Sequence, residues 1–146
     1  MKRPANILLV EDNKMDVALT LDAFREARLE NKIQLAANGQ EALDYVFGHS
    51  KFSDRQKYPI PDIILLDLKL PGISGLDVLR EIKNTNLVKR IPVIVLTSSR
   101  EEGDRAMSYD LGANSYLVKP ISFSGFIDVV RKISDYWFSL NVEPPR

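Results

Sequence analysis

The sequence predicts a three-layer α/β protein, with five parallel strands in the order 2-1-3-4-5 lying between two layers of helices. Three observations predict it. Ile63-Ile64-Leu65-Leu66 is an unbroken aliphatic run, and Asn6-Ile7-Leu8-Leu9-Val10 and Ile91-Pro92-Val93-Ile94-Val95-Leu96-Thr97 contain similar ones. A strand with one wet face alternates, so runs of this kind are buried on both faces. Each run is followed by a stretch of helical spacing, the alternation that gives a parallel sheet with crossover helices. Right-handed crossovers leave few topologies, and the common five-stranded one has its switch point between strands 1 and 3. Both strands bordering that point run into acid: Glu11-Asp12 and Asp67.

Strand 1 is Asn6 to Val10, and from Asn13 the chain turns helical with Val17, Leu21 and Phe24 on one stripe. Ile33 to Ala37 is a short strand closed by the Asn38-Gly39 turn. Gln40 to Phe47 places Ala42, Leu43, Val46 and Phe47 at helical spacing, and Gly48 stops the helix. Residues 49–61 are polar with two prolines and read as an exposed loop that includes a solvated His49. After strand 3, Pro71-Gly72 turns the chain, and Ser74 or Gly75 opens a helix with Leu76, Leu79 and Ile82 inward. Strand 4 tolerates Pro92 because it lies at the beginning. Ser98 and Ser99 precede Glu101 and Glu102 at capping-box spacing. The helix that follows, to Leu111, has a weak apolar stripe and an internal Gly103, so it is expected to be the least firmly held. Ser115-Tyr116-Leu117-Val118 is strand 5, and the last helix carries Phe126, Ile127, Val130, Ile133 and Trp137 at three- and four-residue steps.

Composition narrows the chemistry. A chain of 146 residues fits one domain, able to bury about 70% of its unfolded surface. Twenty basic and twenty acidic residues cancel with no long run of one sign, which argues against a basic nucleic-acid face. There is no cysteine, so thiol nucleophiles, disulfides and thiolate metal sites are excluded, and with one histidine, His-dependent triads and multi-histidine metal sites have almost no material. No apolar run reaches membrane-spanning length and the start lacks a signal-peptide core, so a cytoplasmic protein is expected. Any catalysis must draw on carboxylates, hydroxyls and lysine, with or without a bound cation.

That material is present at one edge. Glu11, Asp12 and Asp67 stand at the switch point and repel one another unless a cation neutralises them; an all-oxygen set suits magnesium or manganese rather than zinc. Thr97 ends strand 4 with a hydroxyl, and Lys119 ends strand 5 with a fixed charge. Alone, each has an ordinary explanation: a helix-dipole acid, a strand-end hydroxyl, a snorkelling lysine. Four strand ends carrying the parts of phosphoryl transfer are harder to explain that way. Asp67, the central member, would be the nucleophile and form an acyl phosphate. Since Asp67→Asn removes one of three crowded charges, it is expected to block phosphorylation while leaving stability equal or higher.

The motifs Leu9-Val10-Glu11-Asp12-Asn13, Leu66-Asp67-Leu68-Lys69-Leu70-Pro71-Gly72, Val95-Leu96-Thr97-Ser98 and Ser115-Tyr116-Leu117-Val118-Lys119-Pro120 resemble, in this order, those of a response-regulator receiver domain of a two-component system. The resemblance covers nearly the whole chain. It implies a flavodoxin-like (βα)5 fold, Asp67 as phosphoacceptor, Glu11 and Asp12 positioning Mg²⁺ with the Lys69 carbonyl as a further ligand, and Thr97 and Lys119 gripping the phosphoryl group. Tyr116 matches an aromatic switch that turns inward as the Thr97 hydroxyl moves. Lys69 and Ser99 match positions flanking the path of hydrolytic water; neither orients water well, which implies a long-lived acyl phosphate. The Lys119-Pro120 bond is expected to be cis.

The resemblance further implies a sensor histidine kinase as phosphodonor, a downstream effector or phosphotransfer partner, and a response in the helix 4–strand 5–helix 5 face. One receiver domain is expected across residues 1–146, with a core of about 5–138 and a tail of 139–146. The long 49–61 loop and the aromatic tail Tyr136-Trp137-Phe138 look similar to phytochrome-associated single-domain regulators. Val129, Tyr136, Phe138 and Leu140 lack an obvious buried home; the tail either folds back over its own domain or meets a partner, and the resemblance to those regulators implies a homodimer through that face and the tail. The rival reading is a magnesium-dependent aspartyl-phosphate phosphatase or phosphotransferase. Such enzymes carry a second aspartate two residues after the nucleophile, where this chain has Lys69. A nucleotide- or flavin-binding module is a weaker rival, since no glycine-rich loop follows strand 1.

Overall fold

Ile63–Leu66 and Val93–Thr97 are buried along their whole length, and that dictates the layers around them. The computed structural model describes residues 5–27, 32–119 and 122–135. Its sheet is parallel, in the order β2-β1-β3-β4-β5. The strands are β1 (Asn6–Val10), β2 (Lys32–Ala36), β3 (Ile63–Leu66), β4 (Val93–Thr97) and β5 (Ser115–Val118). The helices are α1 (Lys14–Glu26), α2 (Gly39–Phe47), α3 (Gly75–Lys83), α4 (Glu102–Asp110) and α5 (Phe123–Ser134). Strand 4 begins at Val93 rather than Ile91, because Pro92 has no N–H for the ladder; its carbonyl instead accepts from Ile64 N–H at 3.0 Å. Among the described residues, no helix is long and apolar enough to cross a membrane.

The period-2 alternation of each strand sorts the interior into two cores. Leu8, Val10, Ile64, Leu66, Val93 and Val95 face one way, against Ala42, Val46, Val78, Leu79 and Ile82 of α2 and α3. Ile7, Leu9, Ile63, Leu65, Ile94 and Leu96 face the other way, against Ala23 and Phe24 of α1 and Phe126, Val130 and Ile133 of α5. Each such side chain contributes about 1.5–3 kcal/mol on full burial. Val129 has a place after all: it is half-buried against the second core. Tyr136, Trp137, Phe138 and Leu140, like Pro120, lie outside the described residues.

Asn13, Asn38, Ser74 and Ser122 cap α1, α2, α3 and α5, each side chain accepting a backbone N–H from the first turn. Helix α4 lacks this. Its N-cap is Glu101, with no side-chain cap, and the expected capping box does not form because Ser99 is turned to other partners. Only Ser108 of α4 is buried, the least of the five helices, in line with its weak apolar stripe.

The segment at 49–61 is not simply an exposed loop. Phe52, in a short 3₁₀ turn at Ser50–Phe52, is 2% exposed and packs between Tyr45, tilted at 60°, and Tyr58, edge-to-face at 86°, with ring centroids 5.0 Å away in each case. The Arg55 guanidinium donates to the carbonyls of Tyr45 at 2.8 Å, Val46 at 2.7 Å and Tyr58 at 3.2 Å, closing the end of α2. Polar composition concealed an aromatic nucleus with an arginine cap. His49 is exposed, as expected.

Candidate functional site

Parallel register brings the strand ends to one edge. Val10 pairs with Leu66, Leu66 with Val95, and Thr97 with Val118, so Glu11, Asp67, Thr97 and Lys119 emerge side by side. The backbone fixes their roots: Asp67 N–H donates to the Val10 carbonyl at 3.0 Å, Glu11 N–H to that of Ala36 at 3.0 Å, and Lys119 N–H to that of Thr97 at 2.8 Å. The turn after β3 is equally constrained. A Cβ on Gly75 would lie 2.3 Å from the Asp67 carbonyl oxygen and 2.5 Å from Leu68 Cα, so only glycine lets α3 begin this close to the site. Gly72, with φ of 72°, supplies the left-handed step in that turn.

Carboxylate oxygens of Glu11, Asp12 and Asp67 all lie within 4.8 Å of one another. Glu11 is 5% exposed and Asp67 6%, while Asp12 is open to solvent. The Lys119 ammonium, on a side chain 8% exposed, donates to Glu11, to Asp67 Oδ2 at 3.1 Å and to Asp16 Oδ2 at 2.8 Å. Thr97 is fully buried, and its hydroxyl helps to hold the Asp67 carboxyl below its usual range. Lys69, itself exposed, turns its backbone N–H onto Asp67 Oδ1 at 3.3 Å. Tyr116 is half-buried against the first core and donates its hydroxyl to the Ser99 carbonyl at 3.0 Å. Ser99 N–H reaches Thr97 Oγ1 at 3.3 Å, and Ser99 Oγ donates to Asp104 Oδ2 at 2.6 Å, tying the β4–α4 turn to α4.

The charges are unequal. Burial pushes the Glu11 carboxyl up to about 7, against the pull of its Lys119 hydrogen bond, and the neighbouring Asp67 charge adds to the rise. Asp67 is desolvated too, but the Lys119 charge and hydrogen bonds from Thr97, Lys119 and Glu11 outweigh burial and hold it below the usual aspartate value. Burial alone would depress Lys119; Asp16, Glu11 and Asp67 instead raise it above the ordinary lysine range. The arrangement thus offers a buried carboxylate held below its usual range, backed by a cation and a hydroxyl, at a cluster of oxygen ligands. That donor set fits a hard divalent cation, for which geometry and neutralisation both favour oxygen.

Glu11, Asp12, Asp67, Thr97 and Lys119 are drawn together here, with Tyr116 linked to Thr97 through Ser99; of Lys69 it is the backbone N–H, and not the expected carbonyl, that reaches Asp67. Two participants were not singled out: Asp16, on the first turn of α1, and Asp104, on the first turn of α4. The only sequence signal for Asp16 is an acid one turn after Glu11-Asp12, which reads equally well as a helix-dipole residue.

Comparison with known proteins agrees with this geometry. The family model described as the response regulator receiver domain matches residues 7–131. A probable methanogenesis regulatory protein, FilR2, of Methanothrix harundinacea is 38% identical over 141 residues, covering 97% of this chain and 88% of that protein. The response regulator Rcp1 of Synechocystis is 36% identical over 134 residues, covering 92% and 89%. Its Mn²⁺-bound crystal structure superposes with a TM-score of 0.86 over 97% of this chain and 100% of that one, at 34% identity. The phosphorylated cyanobacterial phytochrome response regulator RcpA superposes with a TM-score of 0.90 at 36% identity, covering 98% and 100%.

Proposed function

This chain belongs to the response regulator receiver family, and we propose that it accepts a phosphoryl group on Asp67 from a sensor histidine kinase, in a reaction that depends on Mg²⁺ or Mn²⁺. The observation that carries the reading is the state of Asp67. It is buried, hydrogen-bonded by Lys119 and held below the usual aspartate range by Lys119 and Thr97, at the edge of an oxygen-rich cluster. Glu11, Asp12 and Asp67, with the Lys69 carbonyl, would hold the cation, and the cation would neutralise the cluster and the incoming phosphoryl oxygens. An Asp67 oxygen attacks phosphorus, the P–N bond of phosphohistidine breaks, the imidazole leaves and takes a proton from solvent, and an acyl phosphate remains. Lys119 and the Thr97 hydroxyl then hold phosphoryl oxygens, the role their present contacts to Asp67 suit them for. The protein is a self-phosphorylating relay rather than a turnover enzyme.

The output follows from the hydrogen-bond chain. When the Thr97 hydroxyl turns to the phosphoryl group, its contact with Ser99 N–H is lost, and Ser99 also anchors the Tyr116 hydroxyl and Asp104. The movement therefore reaches α4 and β5. Met107 and Tyr109 on α4 and Phe123 on α5 are exposed there, apolar material for a homodimer or an effector. The similarity to the phytochrome response regulator RcpA supports a phytochrome-type kinase as donor. Transfer from a phosphorylated phytochrome kinase tests this: label should move to the wild-type chain with Mg²⁺ and not to Asp67→Asn. Label on the Asn variant contradicts it.

A further inference from the structure

Lys119 has three ammonium N–H donors, and three carboxylates take them. Glu11 and Asp67 belong to the cluster that suits a cation; Asp16 does not. Asp16 is nonetheless built in. Its backbone N–H donates to Asn13 Oδ1 at 3.0 Å, its carbonyl accepts from Thr20 Oγ1 at 2.7 Å, and its side chain is 31% exposed. The first turn of α1 therefore holds on Lys119 a carboxylate that is not a member of the acidic cluster.

Resting on the receiver reading, we propose that Asp16 is a positioning residue for phosphoryl transfer: it anchors the Lys119 ammonium once Glu11 and Asp67 turn to other partners. Two of the three contacts of Lys119 are with groups that the chemistry redirects. A lysine head is a strongly hydrated point charge on a flexible four-carbon stem, and without an anchor it moves to water or collapses onto the nearest carboxylates. Asp16 prevents both. One N–H stays on Asp16, while the other two remain aimed where phosphoryl oxygens arrive. Substituting the charge away leaves the ammonium to settle on Glu11 and Asp67, the carboxylates the reaction needs free.

The test uses Asp16→Asn, which is isosteric, Asp16→Ala, and Lys119→Ala with and without Asp16→Asn. In metal-free protein, the Lys119 ammonium should give a slowly exchanging NMR signal that broadens or vanishes in Asp16→Ala. With acetyl phosphate and saturating Mg²⁺, Asp16→Asn should slow phosphate incorporation about tenfold, the size usual for a group that orients a site residue. Within the Lys119→Ala background, Asp16→Asn should cause no further loss. An equal loss in that background overturns the proposal, because Asp16 would then act without Lys119. So does an Asp16→Ala variant with unchanged rate and unchanged ammonium signal, when the wild type takes up phosphate normally. A wild type that takes up none overturns the receiver reading itself.

Discussion

Asp67 carries a charge that the fold stabilises. Crowding of three acids led to the expectation that Asp67→Asn would leave stability equal or higher, but the structure places an ammonium among them. An acid held below its usual value contributes stability that is present above its unfolded value of 3.8 and lost as pH falls below it. Asp67→Asn should therefore lower the denaturant midpoint of metal-free protein at pH 7, with the gap to wild type closing in acid. A higher midpoint for the variant would contradict the assignment. The same residue scale governs the acyl-phosphate lifetime. Ser99 is buried with its hydroxyl committed to Asp104, so it cannot steer water, and a glutamate there has no room. Lys69 is exposed at the mouth, and Lys69→Glu should shorten the half-life by on the order of tenfold by giving water a base. An unchanged half-life, followed by intact mass, would refute that. Asp67, Thr97 and Lys119 were legible in the sequence because strand ends have a fixed direction. Asp16 and Asp104 were not, because a side chain on a helix's first turn has several directions open and only packing chooses.

At the scale of elements, α3 is placed by contact rather than by propensity. Gly75→Ala would drive a Cβ to 2.3 Å from the Asp67 carbonyl, and should cost about 3 kcal/mol in urea unfolding, with site geometry disturbed as well. A loss under about 0.5 kcal/mol, the range of a neutral surface change, would show that α3 can back away. The far end of α3 is pinned by Lys83, whose ammonium donates to the carbonyls of Lys89 at 3.0 Å and Ile91 at 2.8 Å and to Asn114 Oδ1 at 3.2 Å. Burial lowers Lys83 from 10.5 to about 8, so between those values the unfolded chain holds a proton that the folded one has released. Stability should then rise with pH from about 8 toward 10.5, until Tyr45, raised by burial, opposes it above about pH 10. Lys83→Met should flatten the rise; a wild-type profile already flat in that window would contradict it. Helices with a cap residue and a stripe were easy to find. The 49–61 segment was not, because its order comes from Arg55 reaching carbonyls nine and ten positions back and from rings far apart in sequence.

At the scale of the molecule, continuous aliphatic runs were enough to imply the sheet, its order and the edge where chemistry gathers, because burial on both faces admits few arrangements. Assembly is less determined, since exposed Met107, Tyr109 and Phe123 can meet either a second copy or an effector. Light scattering across a dilution series should show a dimer that phosphorylation strengthens, and a chain monomeric in both states at high concentration would refute it. Everything else depends on Asp67 being the phosphoacceptor. The direct measurement is intact mass after incubation with acetyl phosphate and Mg²⁺, on wild type and Asp67→Asn. Wild type should gain one phosphoryl group, lose that gain when the metal is chelated beforehand, and hold it long enough to be weighed; Asp67→Asn should gain none. Phosphate on the Asn variant, or continuous release of phosphate from the donor with no phosphorylated chain, would contradict the relay reading.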